Sequence, residues 1–194
     1  MKKETFFSFF ESIGKCAASI HGYEFAMYVD TVGFVKTDGY RLCIWKGERY
    51  ISEEIKESVK NTGKTINNHK FVWLYVVPKN KSLHGIDEFI VNNDCDFQGL
   101  PYQRVIPKID DTWKTINYDK SEAMGMLWYI CANTGLGIDP ECIKLPDCTD
   151  CTMSVCTGNK PVVFHGRDFL YFVQPIYKFE AKEVLTPDIT EYYK

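Results

Sequence analysis

The chain has 194 residues, of which 45% are hydrophobic, 15% are aromatic and 25% are charged, and its formal net charge is -3. These values exclude a disordered chain and allow a real core, so we expect a single globular α+β domain over residues 1–194. The mild acidity gives no general attraction to phosphate backbones or anionic lipids, and no apolar run reaches the roughly 18 residues of a membrane crossing, so we expect a cytoplasmic protein without membrane or nucleic-acid partners.

The N-terminal segment has the apolar spacing of one helical face. Between Thr5 and Ile20, apolar side chains recur at steps of three and four residues, at Phe6, Phe10, Ile13, Ala17 and Ile20. This spacing predicts an amphipathic helix. Gly22 follows it as a common helix stop.

The next segment changes to the alternation that is typical of β-strands. Three short apolar runs between residues 23 and 45 predict a meander of three strands. Asp38 with Gly39 between the last two runs favours a type I′ hairpin turn. Ser52, which two acidic residues follow, is typical of a helix N-cap and predicts a short helix that ends near Gly63.

The middle of the chain contains the longest apolar run. Lys70–Val77 consists mostly of β-branched and aromatic residues and is followed by a proline, which predicts a central strand buried on both faces. A further strand is expected over Ile86–Val91. After it, an irregular crossing should contain at most a short strand over Tyr102–Ile106.

A third helix is predicted near residues 120–134. Asp119 with Glu122 is a variant of the capping box, and the following segment is apolar on nearly all sides, so this helix should be buried against the sheet. Closing strands are expected over residues 161–164, 169–173 and 176–179. Together with the N-terminal amphipathic helix, these elements predict an α+β fold with a mostly antiparallel sheet.

Half of the eight cysteines lie in one turn-rich segment, at Cys142, Cys148, Cys151 and Cys156. Charged residues interrupt the N-terminal apolar stretch, so we expect no export signal and, in consequence, reduced thiols. Cys148 and Cys151 have the Cys-x-x-Cys spacing that presents two sulfurs to one zinc ion. The segment predicts a structural zinc site at an irregular crossing, with these four ligands and His165 as a substitute. Unligated packed thiols are the favoured alternative, because zinc ribbons usually contain two such pairs, and a redox dithiol is a third interpretation.

A pattern near the C-terminus allows an enzymatic interpretation. Asp168, Glu180 and Lys182 have the order of the carboxylates and lysine in nucleases of the PD-(D/E)xK type, which hold Mg²⁺ between neighbouring strands. Glu180 and Lys182 would share one face of a strand. The sequence shows no basic groove for a phosphodiester, so an exposed Glu-Lys pair is the competing interpretation. Nucleophilic catalysis by Cys131 with His165 and Asp168 is weaker still, since a thiol late in an apolar helix is not activated.

By exclusion, the sequence favours a non-enzymatic protein-protein interaction or assembly protein, such as an inhibitor, an immunity-type protein or a subunit of a larger complex, for example a virus particle. Aromatic side chains often dominate binding surfaces, so we expect another protein to contact the Phe-rich segment Thr5–Ile20 and the Tyr-rich tail Pro187–Lys194. The densest acidic patch lacks the ligand order of an EF-hand and predicts a solvated turn or a docking face. It comprises Asp87, Glu88, Asp94 and Asp96.

Overall fold

The computed structural model describes residue 13 and residues 25–46, 51–78, 86–93, 99–143, 145 and 150–175. Ten strands lie in this part of the chain: β1 (Phe25–Val29), β2 (Gly33–Thr37), β3 (Arg41–Trp45), β4 (Thr65–Ile66), β5 (His69–Pro78), β6 (Ile86–Asn92), β7 (Lys114–Asn117), β8 (Thr152–Val155), β9 (Val162–His165) and β10 (Phe169–Val173). The described α-helices are α1 (Glu53–Asn61) and α2 (Ala123–Thr134).

One antiparallel sheet organises the fold. Neighbouring strands follow the order β4-β5-β1-β2-β3-β10-β9-β8-β7, and β6 also pairs with β5. The pairing of β3 with β10 places Cys43 opposite Tyr171 and joins the N-terminal meander to the C-terminal strands. Residues that are far apart in sequence therefore share one surface.

Apolar side chains on the two faces of the sheet form two separate cores. The helix-side core includes Ile55 from α1 and Met126 from α2. The loop-side core includes Tyr102 from the irregular segment that follows β6. Because strand side chains alternate between faces, the neighbours Ala26 and Met27 enter different cores.

The N-terminal meander is confirmed, but its hairpin turn differs from the predicted type. The strands β1, β2 and β3 are successive antiparallel neighbours. The Asp38 N–H donates to the Arg41 carbonyl at 3.2 Å, so the central residues of the turn are Gly39 and Tyr40. Of these two, only Gly39 has a positive φ, of 93°. The type I′ prediction is wrong, because that turn needs positive φ at both central positions, whereas a glycine at the first central position is typical of type II′.

The predictions for α1 and β5 are confirmed. Ser52 is the N-cap of α1, and its Oγ accepts a hydrogen bond from the Ile55 N–H at 3.3 Å. Strand β5 has hydrogen-bonded neighbours on both sides, and its residues 71–74 are buried on both faces. The segment after β6 was expected to be an irregular crossing with at most a short strand, and Tyr102–Val105 within it forms a 3-10 turn and not a strand.

The prediction of an α+β fold is wrong for the described part of the chain. Helices α1 and α2 have only 9 and 12 residues, and ten strands make the fold mostly antiparallel sheet. The predicted N-terminal amphipathic helix lies outside the described residues, except for Ile13, which is buried in the helix-side core. Neither α1 nor α2 has the length and apolar character of a membrane-crossing helix, and the described residues contain no other candidate.

Helix α2 is buried against the sheet on one side only, whereas its sequence predicted a buried helix. Met126 and Ile130 are buried against the sheet, whereas Met124 and Trp128 are exposed. The capping box is not formed, because no described side chain caps the N-terminus of α2. The reason for the error is that an all-apolar helix can be covered by its own chain or left open toward a partner, and periodicity does not distinguish these cases.

Candidate functional site

An apolar groove of about 270 Å³ lies on the loop-side face of the sheet, where β3 and β10 meet the 3-10 turn Tyr102–Val105. We call it the Tyr40 groove. Four separate parts of the chain line this groove, and they come together only in the folded protein. Its lining residues are Thr37, Gly39, Tyr40, Arg41, Leu42, Leu100, Pro101, Tyr102, Val105, Pro161, Phe172 and Gln174.

The floor of the Tyr40 groove is buried and its walls are exposed. Leu42, Tyr102 and Phe172 form the floor and belong to the loop-side core. On the walls, the side chains of Tyr40 and Val105 are 62% and 59% exposed. Large apolar side chains that stay exposed around a concave apolar floor are typical of binding sites.

The turn between β2 and β3 fixes the position of Tyr40. One carboxylate oxygen of Asp38 accepts hydrogen bonds from the backbone N–H groups of Tyr40 and Arg41, at 3.0 and 2.7 Å. The Thr37 hydroxyl donates to the Arg41 carbonyl at 2.6 Å, and the Gln174 N–H donates to the Tyr40 carbonyl at 2.8 Å. Tyr40 therefore projects from a rigid turn without being packed into the core.

The ionisable groups of the groove are held in fixed charge states. Burial disfavours the charged Arg41 guanidinium, but its hydrogen bond to the Asp38 carboxylate, at 2.7 Å, and the negative charge of that carboxylate outweigh this effect and raise the pKa of Arg41. Arg41 is therefore a cation that Asp38 neutralises. Burial also raises the pKa of the Tyr102 phenol, which keeps its proton at neutral pH.

Positive charge flanks the groove. None of the described residues that line it is acidic. Arg104 precedes Val105 in the wall, and Lys160 precedes Pro161; both side chains are exposed. The Lys160 ammonium lies 5.7 Å from the centre of the Trp113 ring, a cation-π distance, and its charge also acts on the Asp110 carboxylate.

A second concavity, of about 350 Å³, lies between α1 and the strands β5 and β6. Its lining mixes acidic, basic and amide side chains, which indicates no single class of ligand. The lining residues are Glu54, Glu57, Ser58, Asn61, Thr62, Lys64, Val72, Trp73, Asn92 and Asn93.

The structure describes three of the four cysteines predicted to bind zinc and places two of them in different cores. Cys151 belongs to the helix-side core, with Cys142 packed against it, whereas Cys156 belongs to the loop-side core. Cys148 lies outside the described residues, and His165 is exposed at the end of β9. Among the described residues, no group of three His, Cys, Asp or Glu side chains could hold a metal ion. The zinc site remains a prediction. Because Cys151 and Cys156 belong to the cores on different faces of the sheet, the structure does not place these two thiols around one common ion.

The cysteine segment was expected to be an irregular crossing, and this expectation is wrong for its C-terminal end. Its end forms β8, which pairs with β7 and β9. Met153 and Val155 point into the helix-side core, and Ser154 between them hydrogen-bonds to Thr115 at 2.8 Å. This alternation of apolar and polar residues was the signal for a strand, and the cysteines on both sides obscured it.

The residues of the two catalytic hypotheses are only partly described. Asp168 lies between β9 and β10, and its carbonyl accepts a hydrogen bond from Lys46 N–H at 2.8 Å. Glu180 and Lys182 lie outside the described residues, so the nuclease hypothesis remains a prediction. Burial raises the pKa of the Cys131 thiol on α2, which is the opposite of what nucleophilic catalysis requires. The side chains of the acidic patch (Asp87, Glu88, Asp94 and Asp96) and the Tyr-rich tail Pro187–Lys194 also lie outside the part of the chain that the structure describes.

No family model and no curated protein matches the chain. Solved structures that resemble it include the DNA polymerase sliding clamp from Pseudomonas aeruginosa with ligand, at 10% identity and a TM-score of 0.45, over 85% of this chain and 61% of that chain. The Helicobacter pylori β clamp bound to a DNA ligase peptide matches at 11% identity and a TM-score of 0.47, over 90% and 64%. The DNA polymerase III subunit β from Borrelia burgdorferi in complex with a natural product matches at 15% identity and a TM-score of 0.43, over 90% and 63%.

The chain spans only 61 to 64% of the length of these three proteins. Identities and TM-scores this low establish neither the fold nor the function of this chain.

Proposed function

We propose that this chain is a non-enzymatic protein-interaction or assembly protein that binds an extended segment of another protein in the Tyr40 groove. The observation that carries the proposal is the buried apolar floor between the exposed walls Tyr40 and Val105. At about 25 cal/mol per Å², covering the exposed parts of these two side chains, roughly 200 Å² together, would contribute about 5 kcal/mol before the costs of association. Tyrosine is also one of the residue types that are enriched among interface hot spots.

The charges around the groove support a partner segment that is apolar in the middle and acidic at its ends. The walls and floor would accept large apolar side chains, while Arg104 and Lys160 would attract carboxylates that lie beyond them. Such complementarity mainly sets specificity and the rate of association. It also makes a basic partner segment unfavourable, although the chain as a whole is acidic.

The described groups of the groove favour binding over catalysis. Arg41 is neutralised by Asp38, and Tyr102 keeps its proton, so neither is poised to transfer a proton. An inhibitor, an immunity-type protein or a subunit of a larger particle could each use such a groove. The identity of the partner would distinguish these three roles.

A phage-displayed library of random peptides, selected on the full chain, tests the proposal. We expect enrichment of segments with two or more large apolar residues flanked by Asp or Glu, and loss of their binding in the double variant Tyr40→Ser/Val105→Ser. The matched control is Ile109→Ser, because Ile109 is also exposed, at 48%, but does not line the groove. Enrichment of basic peptides, or binding that survives the double variant, would refute the proposal.

A further inference from the structure

The outer face of α2 is a second apolar surface, on the opposite side of the sheet from the Tyr40 groove. The side chains of Met124 and Trp128 are 78% and 64% exposed, and Gly125 and Ala132 are exposed beside them. None of the 12 residues of α2 is charged. A helix whose outer face meets only water normally carries charged side chains there, so this face has the composition of a buried one.

We propose that this face pairs with the same face of a second copy of the chain, with the two α2 helices antiparallel about a two-fold axis. The shape of the helix supports this arrangement. Gly125 carries no side chain, which leaves an indentation between the side chains of the outer face, and a Cβ atom there would meet no other atom within 4 Å. Trp128, one turn further along the helix, projects on the same side. A two-fold axis between these positions places each Trp128 in the indentation at Gly125 of the other copy, and both contacts form together.

The charges at the two ends of α2 also fit a second copy. At the C-terminal end, the Lys114 ammonium donates a hydrogen bond to the Asn133 side-chain oxygen at 2.7 Å, which holds a positive charge there. At the N-terminal end, Asp119 and Glu122 are exposed acidic side chains. An antiparallel pair brings each Lys114 toward the acidic end of the other copy and also aligns the two helix dipoles favourably.

The size of the surface predicts a weak dimer. Covering Met124 and Trp128 would bury roughly 300 Å² in each copy, or about 600 Å² in total, which is below the ~1,200 Å² of a standard stable interface unless flanking residues add to it. We therefore expect reversible association that depends on concentration. Because α2 packs on the helix-side core and the groove lies on the loop-side face, dimerisation leaves the groove accessible, and the two proposals can fail separately.

Sedimentation velocity of the full chain over roughly 5 to 500 µM tests the inference. We expect the sedimentation coefficient of the unmodified chain to rise with concentration toward that of a dimer. The main variant is Gly125→Gln, which fills the indentation but leaves the monomer intact, because its Cβ has open space and glutamine favours helix more than glycine does. It should weaken association by at least about tenfold, as should Trp128→Ser.

A charge exchange provides the specific control. The variant Lys114→Glu should weaken association by about threefold or more, because it places like charges together, and Lys114→Glu/Glu122→Lys should restore it. A chain that is monomeric over the whole concentration range would overturn the inference. A dimer that persists in both Gly125→Gln and Trp128→Ser would place the interface elsewhere and would overturn it as well.

Discussion

Replacement of Gly33 by alanine tests the close approach of β2 to the backbone of Trp45 in β3. Gly33 begins β2 with a φ of 113°, a conformation that side chains disfavour. A Cβ atom at this position would lie 2.1 Å from the Trp45 carbonyl oxygen and 3.0 Å from the carbonyl carbon. Because both atoms belong to the backbone of the sheet, they cannot move aside as a flexible side chain could.

The expected loss of stability combines two effects. A non-glycine residue at positive φ costs about 1–2 kcal/mol, and forcing extra volume into a packed site costs about 1–3 kcal/mol. The free energy of unfolding should therefore fall by about 2–5 kcal/mol, a large part of the 5–15 kcal/mol that is typical of a domain.

Urea denaturation followed by tryptophan fluorescence and circular dichroism measures this loss. The matched control is Gly63→Ala, because Gly63 has no positive φ and a Cβ there would meet nothing within 4 Å. The control should stay within about 0.5 kcal/mol of the unmodified protein. Equal stability of Gly33→Ala and Gly63→Ala would refute the reasoning.

Three further predictions concern single side chains. Hydrogen bonds from the side chain and the backbone of Thr112 lower the pKa of the Asp110 carboxyl, so Asp110→Asn should reduce the free energy of unfolding at neutral pH. The difference in stability between the variant and the unmodified protein should vanish as the pH falls through the folded-state pKa. Urea denaturation at several pH values measures this difference, and a difference that grows in acid would contradict the prediction. Burial raises the pKa of both Cys43 and Cys142, but Cys43 is fully buried and Cys142 is partly exposed, so N-ethylmaleimide should modify Cys142 well before Cys43, as mass spectrometry of peptides can show. If reduced protein contains about one zinc per chain, Cys156→Ser should leave that content unchanged, and loss of the metal would contradict the placement of Cys156 and Cys151 in different cores.

The sequence predicted those elements whose signals are local. The N-cap residue Ser52 and the two acidic residues after it predicted α1, and the alternation of apolar and polar residues over 25–45 predicted the meander. The turn was less predictable, because Asp38 with Gly39 suits a type I′ turn, while the side-chain hydrogen bonds of Asp38 instead favour Gly39 and Tyr40 as central residues.

The groove and the fold class depended on contacts between distant parts of the chain. Tyr40 and Phe172 come together because β10 pairs with β3, and the 3-10 turn after β6 adds Tyr102; nothing in a single-sequence pattern specifies either contact. The exposed position of Trp128 has a similar cause, since its helix is apolar on every side and only the folded chain shows which side is covered.

The most direct test of the proposed function is the affinity of a selected peptide for the variant Tyr40→Ala, measured by isothermal titration calorimetry. Tyr40 is exposed on a turn, so the substitution should leave the fold intact. We predict binding at least about tenfold weaker than for the unmodified chain, because the largest wall of the groove is lost, while Ile109→Ser binds normally. Equal affinities for Tyr40→Ala and the unmodified chain would contradict a binding site in the Tyr40 groove.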